Sequence, residues 1–306
     1  MAKRCHPNRA LCARGQNESQ VVNASDITVV TVTFASIHVL PKMVESIDKR
    51  SQIVVVDNGP RDGTERWCAE RGITWLGMGE NLGFGRGCNA GFAHVKTPWV
   101  LFLNPDAALM QNCLEKLISA AEEHPDVAAF GPVQLTDGGQ VWFKRRSGIS
   151  KERVQTTTPP HTPVPFISGA AMLIRSRMFE EIGGFDPEIF LYFEDDDLSL
   201  RLTRAHGPLM LVHNAGINHT GGQSSDPTLA ISQFKEYHFG RSEVYVLNKY
   251  FGSATAILQI ILRGCKILNL SNIFVSHKRK RWYSRLCGMV SSIPQITSLR
   301  PKKLKS

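Results

Sequence analysis

Between residues 27 and 106 four short apolar runs alternate with segments of helical period, and this alternation limits the possible fold more than any other feature of the chain. Ile27-Thr-Val-Val-Thr-Val-Thr-Phe34 and Gln52-Ile-Val-Val-Val-Asp57 are dominated by β-branched residues, residues 73–76 form a shorter run, and Trp99-Val-Leu-Phe-Leu103 is continuously large and apolar. Short apolar runs without polar alternation read as strands buried on both faces. Between them, residues 38–47 repeat apolar side chains at helical spacing with Pro41 in the first turn, residues 64–71 suggest a second helix, and a third runs through His94. Regular alternation of strand and helix predicts an α/β fold, a mostly parallel sheet with right-handed crossovers and flanking helices.

Two of these strands end in acids. Asp57 closes the second, and Asn104-Pro105-Asp106 follows the fourth, where proline ends the hydrogen-bond ladder. Ligands of open α/β sheets bind outside the carboxyl ends of the strands, so both acids belong to one ligand-facing edge. Asp106 alone reads equally as a cap for a helix beginning near Ala108. Two acids with a glycine-rich stretch between them favour the ligand. That stretch, Asn81-Leu-Gly-Phe-Gly-Arg-Gly-Cys-Asn-Ala-Gly91, fits a dinucleotide fingerprint at Gly83 and Gly85. Cys88, however, holds the third required position, and residues 77–82 separate the turn from its strand. It reads as a loop whose backbone approaches a nucleotide closely.

The second half opens with a helix over 113–124 and a strand near 127–130, then a hairpin turn at Asp137-Gly-Gly139 leading into a strand over 140–143. Residues 144–165 are polar, basic and proline-rich, either a lid over the site or plain disorder. Residues 166–175 read as a strand whose small residues Ser168 and Gly169 let an acceptor approach the backbone. A short helix over 178–182 and the turn Gly183-Gly-Phe-Asp186 precede Phe190-Leu-Tyr-Phe193 and four consecutive acids, Glu194-Asp-Asp-Asp197. Capping of the helix that starts there accounts for part of this cluster, because the helix dipole favours negative charge in its first turn. It does not account for four mutually repelling carboxylates, whose raised proton affinity suits removal of a proton from a hydroxyl. Farther on come a strand over 209–213, His219, and a helix placing Tyr237, Arg241 and Tyr245 on one face with His238 beside them. The planar fork of Arg241 suits a diphosphate; a salt bridge with Glu236 or Glu243 is the plainer account.

These segments together resemble the family 2 glycosyltransferases, and within them the bacterial rhamnosyltransferase branch with its GT-A fold. The likeness rests on residues 29–34, on Val55-Val-Asp-Asn58, on Asn81-Leu-Gly-Phe84 with Asn89 and Gly91, on Asn104-Pro-Asp106, and on Phe193-Glu-Asp-x-Asp-Leu-x-x-Arg201, and it covers roughly residues 26–250. The chain departs from the family where Thr33-Phe34-Ala35 replaces Thr-Tyr-Asn, where Cys88 replaces Asn or Arg, and where Asn58-Gly-Pro-Arg-Asp-Gly63 lacks the usual hydroxyls. The resemblance implies an inverting, metal-dependent transfer. Asp195 is then the general base, with Glu194 and Asp197 orienting the acceptor and its loop. Asp106 and His219 hold Mg or Mn, and Thr33, Asp57, Asn81, Gly83, Asn89, Asn104 and Arg241 bind the nucleotide sugar. It further implies a deoxythymidine-diphosphate rhamnose donor and a glycan or lipid-linked glycan acceptor, in cell-surface polysaccharide synthesis. A nucleotide-dependent oxidoreductase and a non-catalytic glycan or membrane adaptor are the rival classes.

Composition narrows the setting. A chain of 306 residues with 42% hydrophobic content has ample length for a core, and a net charge of +9 points to an anionic partner. Seven cysteines without CxxC spacing argue against a disulfide framework or a structural zinc site and for a reducing compartment. Residues 1–25 are polar and aperiodic, an expected disordered tail without a secretory signal, which makes the cytoplasm the default location. The organisation anticipated is therefore a tail over 1–25, a catalytic unit over 26–250 divided near residue 110, and an extension over 251–306. In the extension, residues 254–273 are too interrupted to span a membrane, and Lys278-Arg-Lys-Arg-Trp-Tyr283 adds cations beside interfacial aromatics. An amphipathic helix lying on the inner face of an anionic membrane is the expectation, with packing against the catalytic unit or a partner as the alternative; a nucleic-acid patch is the weaker account, and no nucleic-acid partner is expected.

Overall fold

The computed structural model describes residues 22–135, 141–142, 147–149, 161–219, 228–267 and 276–294. The alternation read from the sequence is present: β1 (Ile27–Thr33), α1 (Leu40–Glu45), β2 (Gln52–Asp57), α2 (Thr64–Ala69), β3 (Thr74–Gly77), α3 (Phe84–Phe92) and β4 (Trp99–Leu103) follow in turn. β1 lies between β2 and β4 and β2 pairs with β3, all in parallel. Every residue of β1 and β4 is buried. Their side chains divide by parity: Ile27, Val29, Leu101 and Leu103 pack with α1 residues Leu40 and Met43 on one face. Val30, Val32, Val100 and Phe102 pack with Cys88, Phe179 and Phe185 on the other. A sheet covered on both faces needs continuous apolar strands, which is the pattern the sequence carries.

The rest of the sheet is mixed, not parallel. β5 (Ala107–Leu109), α4 (Cys113–Glu123), β6 (Ala129–Leu135), β7 (Val141–Trp142), β8 (His161–Val164), β9 (Ala171–Arg175), α5 (Ser176–Glu181), α6 (Glu194–His206) and β10 (Leu209–His219) extend it in the order β3-β2-β1-β4-β9-β6-β10-β5. β9 lies antiparallel to both β4 and β6. The helix expected near Ala108 is replaced by β5, which pairs antiparallel with β10 and sets His219 opposite Ala107. The expected turn at 137–139 lies outside the described residues, but β6 and β7 on either side pair antiparallel as a hairpin would. Of residues 144–165, expected to be loop throughout, 161–164 form β8 on β10. Within the same stretch Ile149 is buried with Ile189, Tyr245 and Tyr250, while 144–146 and 150–160 lie outside the described residues.

α7 (Leu229–Phe251), α8 (Ser253–Ile267) and α9 (Ser276–Ser291) form a helical layer beside the sheet. Glu236 of α7 pairs with Arg281 and Arg285 of α9, and Glu243 of α7 with Arg263 and Gln259 of α8. Gly240 and Gly288 let α7 and α9 touch, since a Cβ on Gly288 would stand 1.9 Å from the Tyr237 carbonyl oxygen. The extension thus packs on the catalytic part of the chain. No helix among the described residues is long and apolar enough to cross a membrane. Cys68, Cys88, Cys113, Cys265 and Cys287 are free thiols, in keeping with the absence of disulfide spacing.

Candidate active site

The loops after β1, β2 and β4, the turn before β9, the first turn of α6, the end of β10 and the start of α7 enclose a cavity of about 890 Å³. Phe34, Asn58, Asn104 and Pro105 line it from the strand ends, Ser168 and Gly169 from the β9 turn, and Asn81 and Gly83 from the loop before α3. This is the edge on which ligands of such sheets bind.

The pairing of β5 with β10 builds the most polar corner. His219 lines the cavity, and its Nε2 lies 3.3 Å from Oδ1 of Asp106, whose side chain is only 2% exposed. The other ring nitrogen, Nδ1, lies 3.3 Å from Gln134 Oε1 on β6. When Nδ1–H donates to that amide oxygen, Nε2 presents a lone pair to a carboxylate, and two acceptors so close need a proton or a cation between them. Carboxylate and imidazole suit Mg or Mn, which fill their remaining positions with phosphate oxygens and water. The residues present therefore fit the implied divalent ion.

Asp195 lines the same cavity from the first turn of α6. Its Oδ2 accepts from Gly169 N–H at 3.1 Å and its Oδ1 from Asp196 N–H at 2.9 Å, so the carboxylate is fixed in direction. Glu194 lines the cavity beside it, largely buried. Tyr192 and Phe193, just before, both take left-handed backbone with φ of 67° and 69°. Two bulky residues in that region are strained and persist only where the surroundings hold them. α7 does the holding: Ser242 Oγ donates to the Leu191 carbonyl at 2.8 Å, and the Phe239 ring packs on both Tyr192 and Phe193.

The profile of Glycosyl transferase family 2 matches residues 28–183, more than half of the chain. The chain belongs to glycosyl transferase family 2. Among curated relatives, an N-acetylglucosaminyl-diphospho-decaprenol L-rhamnosyltransferase of Mycobacterium tuberculosis is 25% identical over 86% of this chain and 97% of its own length. Among solved structures, GalNAc-T7 with UDP, GalNAc and Mn2+ aligns with a TM-score of 0.57 at 17% identity, over 73% of this chain and 48% of that one. A mannosyltransferase of Pyrobaculum calidifontis in complex with GDP-Man and Mn2+ aligns at 0.53 and 12% identity, over 87% and 86%. The fold is thus GT-A, a mostly parallel central sheet flanked by helices with a helical region at its C-terminal end. Neither the oxidoreductase nor the adaptor reading gains support from these likenesses.

Within this family 2 chain, not every residue expected at the site reaches the cavity. Asn81 does, its Oδ1 closing a turn on Gly83 N–H at 3.0 Å. Gly83 is required there: its φ is +84° and a Cβ would stand 2.2 Å from the Phe190 carbonyl oxygen. Thr33 and Asp57 lie beneath the surface instead. Asp57 accepts from Gly59 N–H, Trp75 Nε1–H and the Thr33 hydroxyl, and burial raises its carboxyl above the ordinary value despite these donors. Asn89 is spent on the Phe185 backbone, donating to its carbonyl at 2.8 Å and accepting from its N–H at 2.9 Å. Asp197 is fully buried in an ion network: Arg201 lies at 2.7 Å, and Lys249, itself bonded to Asp186, contacts its other oxygen. Arg241 does not line the cavity. Glu236 and Glu243, its supposed partners, are held by arginines of α9 and α8.

The cation of α7 that lines the cavity is Lys235, accompanied by Ile231 and Phe234. Helical spacing on α7 could have raised Lys235 as readily as Arg241; what the sequence lacked was the angle at which α7 crosses the loops. The glycine-rich stretch also differs from its expectation. Residues 84–92 are helix, and a Cβ on Gly91 would stand 2.5 Å from Val30 Cγ1 and 2.8 Å from Val56 Cγ2. Gly87 and Gly91 serve contact between helix and sheet, Gly85 contact with Phe185, and residues 81–83 form the ligand-facing loop. Cys88 is buried beneath it, where burial and then the Glu194 charge push its thiol well above the ordinary value.

Proposed function

We propose that this chain is an inverting, metal-dependent rhamnosyltransferase acting on a nucleotide-diphosphate donor and a glycan or lipid-linked glycan acceptor in cell-surface polysaccharide synthesis. The observation that carries this reading is that Asp195 and His219, drawn from distant parts of the chain, line one cavity, with the buried Asp106 carboxylate 3.3 Å behind the His219 ring. Asp106 and His219 would hold Mg or Mn, and that ion would offset the charge developing on the leaving diphosphate. Asn81, Gly83 and Asn104 form the polar wall on which the nucleotide sugar lies, and Lys235 faces its phosphates. Asp195 takes the proton of the acceptor hydroxyl as that oxygen bonds to the anomeric carbon and the bond to the diphosphate oxygen breaks on the opposite side. Ser168 and Gly169, with no bulky side chains, leave room for the acceptor beside Asp195.

Relatives named as rhamnosyltransferases favour deoxythymidine-diphosphate rhamnose as donor, and the decaprenol-linked acceptor in one relative's name favours a lipid-linked glycan. A lipid-linked acceptor brings the protein to the cytoplasmic face of a membrane, and the exposed Ile257, Leu258, Ile261 and Leu262 of α8 support that placement.

The test is Asp195→Asn, assayed for transfer from labelled nucleotide sugars and for nucleoside diphosphate binding with Mn2+. Transfer falls at least 10³-fold, consistent with the size of general-base effects, while binding changes less than about threefold. Normal turnover in the variant refutes the assignment of the base.

A further inference from the structure

We propose that Glu123, His124 and His161 form a second metal site, for a zinc-class transition ion, at the opposite end of the sheet from the catalytic cavity. Glu123 and His124 close α4, and His161 opens β8, so the trio joins a helix end to a short edge strand. Their ligand atoms all lie within 4.8 Å of one another, which no other trio of His, Cys, Asp and Glu does among the described residues. β8 pairs His161 with Val212 of β10, some seven residues from His219, so the trio stands ~20 Å from the cavity at the rise of an extended strand.

Three features call for a cation here. The first is geometric: Glu123 Oε2 lies 3.7 Å from His161 Nε2, too far for a hydrogen bond. Two ligands on a tetrahedral ion with bonds near 2.05 Å stand about 3.3 Å apart, so small side-chain movements complete the site. The second is orientation. Ser119 Oγ donates to Glu123 Oε1 at 2.9 Å and leaves Oε2 turned to the histidines, while the His161 ring meets that of His124 edge to face at 5.4 Å. Nδ1 of His161 is buried without a hydrogen-bond partner. The third is electrostatic. The C-terminal end of a helix carries partial negative charge and favours cations; α4 adds Glu122-Glu123 there, and Arg175, which donates to the Ala121 carbonyl at 3.3 Å, offsets only part of that charge. A bound divalent ion reverses that conflict.

Two imidazoles and one carboxylate favour Zn2+ or Co2+ over Mg2+, which prefers oxygen ligands. The ion would clip β8 to α4 and take no part in transfer.

Co2+ titration of the chelator-treated full-length protein tests this by visible absorption, alongside thermal melting in Zn2+. Three forms are compared: the natural chain, His124→Gln/His161→Gln, and Asp106→Asn/His219→Gln. The natural chain and the cavity variant develop the Co2+ band, Zn2+ displaces it, Mg2+ does not, and Zn2+ raises the melting temperature of both. The His124/His161 variant binds Co2+ at least tenfold more weakly. If that variant binds Co2+ as tightly as the natural chain, if the band disappears in the cavity variant, or if it fails to saturate in the natural chain, the second site does not exist. Because the cavity variant lacks only the donor-site ligands, failure here is distinct from failure of the glycosyltransferase reading.

Discussion

At the scale of single residues, the cavity separates side chains that meet ligand from side chains that hold the walls, and two α7 cations show the distinction. Lys235 lines the cavity and Arg241, less than two turns onward, does not. A lysine on a diphosphate contributes a charge-assisted contact of about 1.5–3 kcal/mol. Lys235→Met should therefore weaken nucleoside diphosphate binding roughly tenfold or more, and Arg241→Met less than about twofold, both by calorimetry in Mn2+. The reverse ranking would return the diphosphate to Arg241. His238 gives a second residue-level prediction. It stacks on the cavity residue Phe190 with ring centroids 4.1 Å apart, and burial, with the nearby Arg241 charge, lowers its pKa to about 4. The unfolded chain takes up this proton near pH 6.5 and the folded chain does not. The stability contributed by neutral His238 is complete above pH 6.5 and is lost as pH falls from there toward 4, by no more than about 3 kcal/mol. His238→Gln should flatten the dependence of melting temperature on pH over that window, and an unchanged slope would mean that His238 is accessible to protons.

At the scale of elements, what was legible depended on whether a segment's partners were local. β1, β2 and β4 announce themselves because burial on both faces leaves a continuous apolar run, and α6 because its acids precede a leucine period. β5 is only three residues long and exists through its antiparallel register with β10 more than 100 residues away, which no local pattern encodes. That same register creates the Asp106–His219 pair, which the family resemblance implied and no local pattern encodes. The glycine-rich start of α3 was hidden for a different reason. Glycine is the poorest helix former after proline, and Gly85, Gly87 and Gly91 read as loop until Phe185 is seen packed against the first and Val32, Val30 and Val56 against the other two. This account makes an element-level prediction with an internal control. Replacing a helical glycine by alanine ordinarily stabilises by about 0.5–1 kcal/mol, and Gly264 of α8, with nothing within 4 Å of its Cβ position, should behave that way. At Gly91 the added methyl meets two core valines, so Gly91→Ala should destabilise by about 1–3 kcal/mol. Urea midpoints for the two variants should move in opposite directions, and parallel shifts would show that close packing is not why α3 carries glycine.

At the scale of the whole molecule, α8 is turned inside out relative to a helix on a water-facing surface. Its polar residues Gln259 and Arg263 face inward and bond to Glu243 of α7, while Ile257, Leu258, Ile261 and Leu262 are 48%, 54%, 56% and 51% exposed along the outer side. A surface helix normally buries its apolar stripe and shows its charges. Lys278, Arg279 and Lys280 at the start of α9 are exposed, within a chain of net charge +9. An anionic bilayer interface would answer both features at once, taking the aliphatic side chains into its acyl boundary and the cations at its headgroups. Completing the burial of four half-exposed aliphatics contributes about 1 kcal/mol each, and three cations near an anionic leaflet a similar amount each. The sum of ~7 kcal/mol corresponds to reversible, salt-sensitive binding. The full-length protein should sediment with vesicles rich in anionic lipid, much less with neutral vesicles, and less again at high salt. Ile261→Asp with Leu262→Asp removes half of the stripe at exposed positions, so folding should be preserved and vesicle binding reduced at least tenfold. Turnover of a water-soluble acceptor should be unchanged in that variant while turnover of the same acceptor on a lipid carrier in vesicles falls. Equal binding of neutral and anionic vesicles, or full binding by the variant, would leave the outward face of α8 to some occupant other than a membrane.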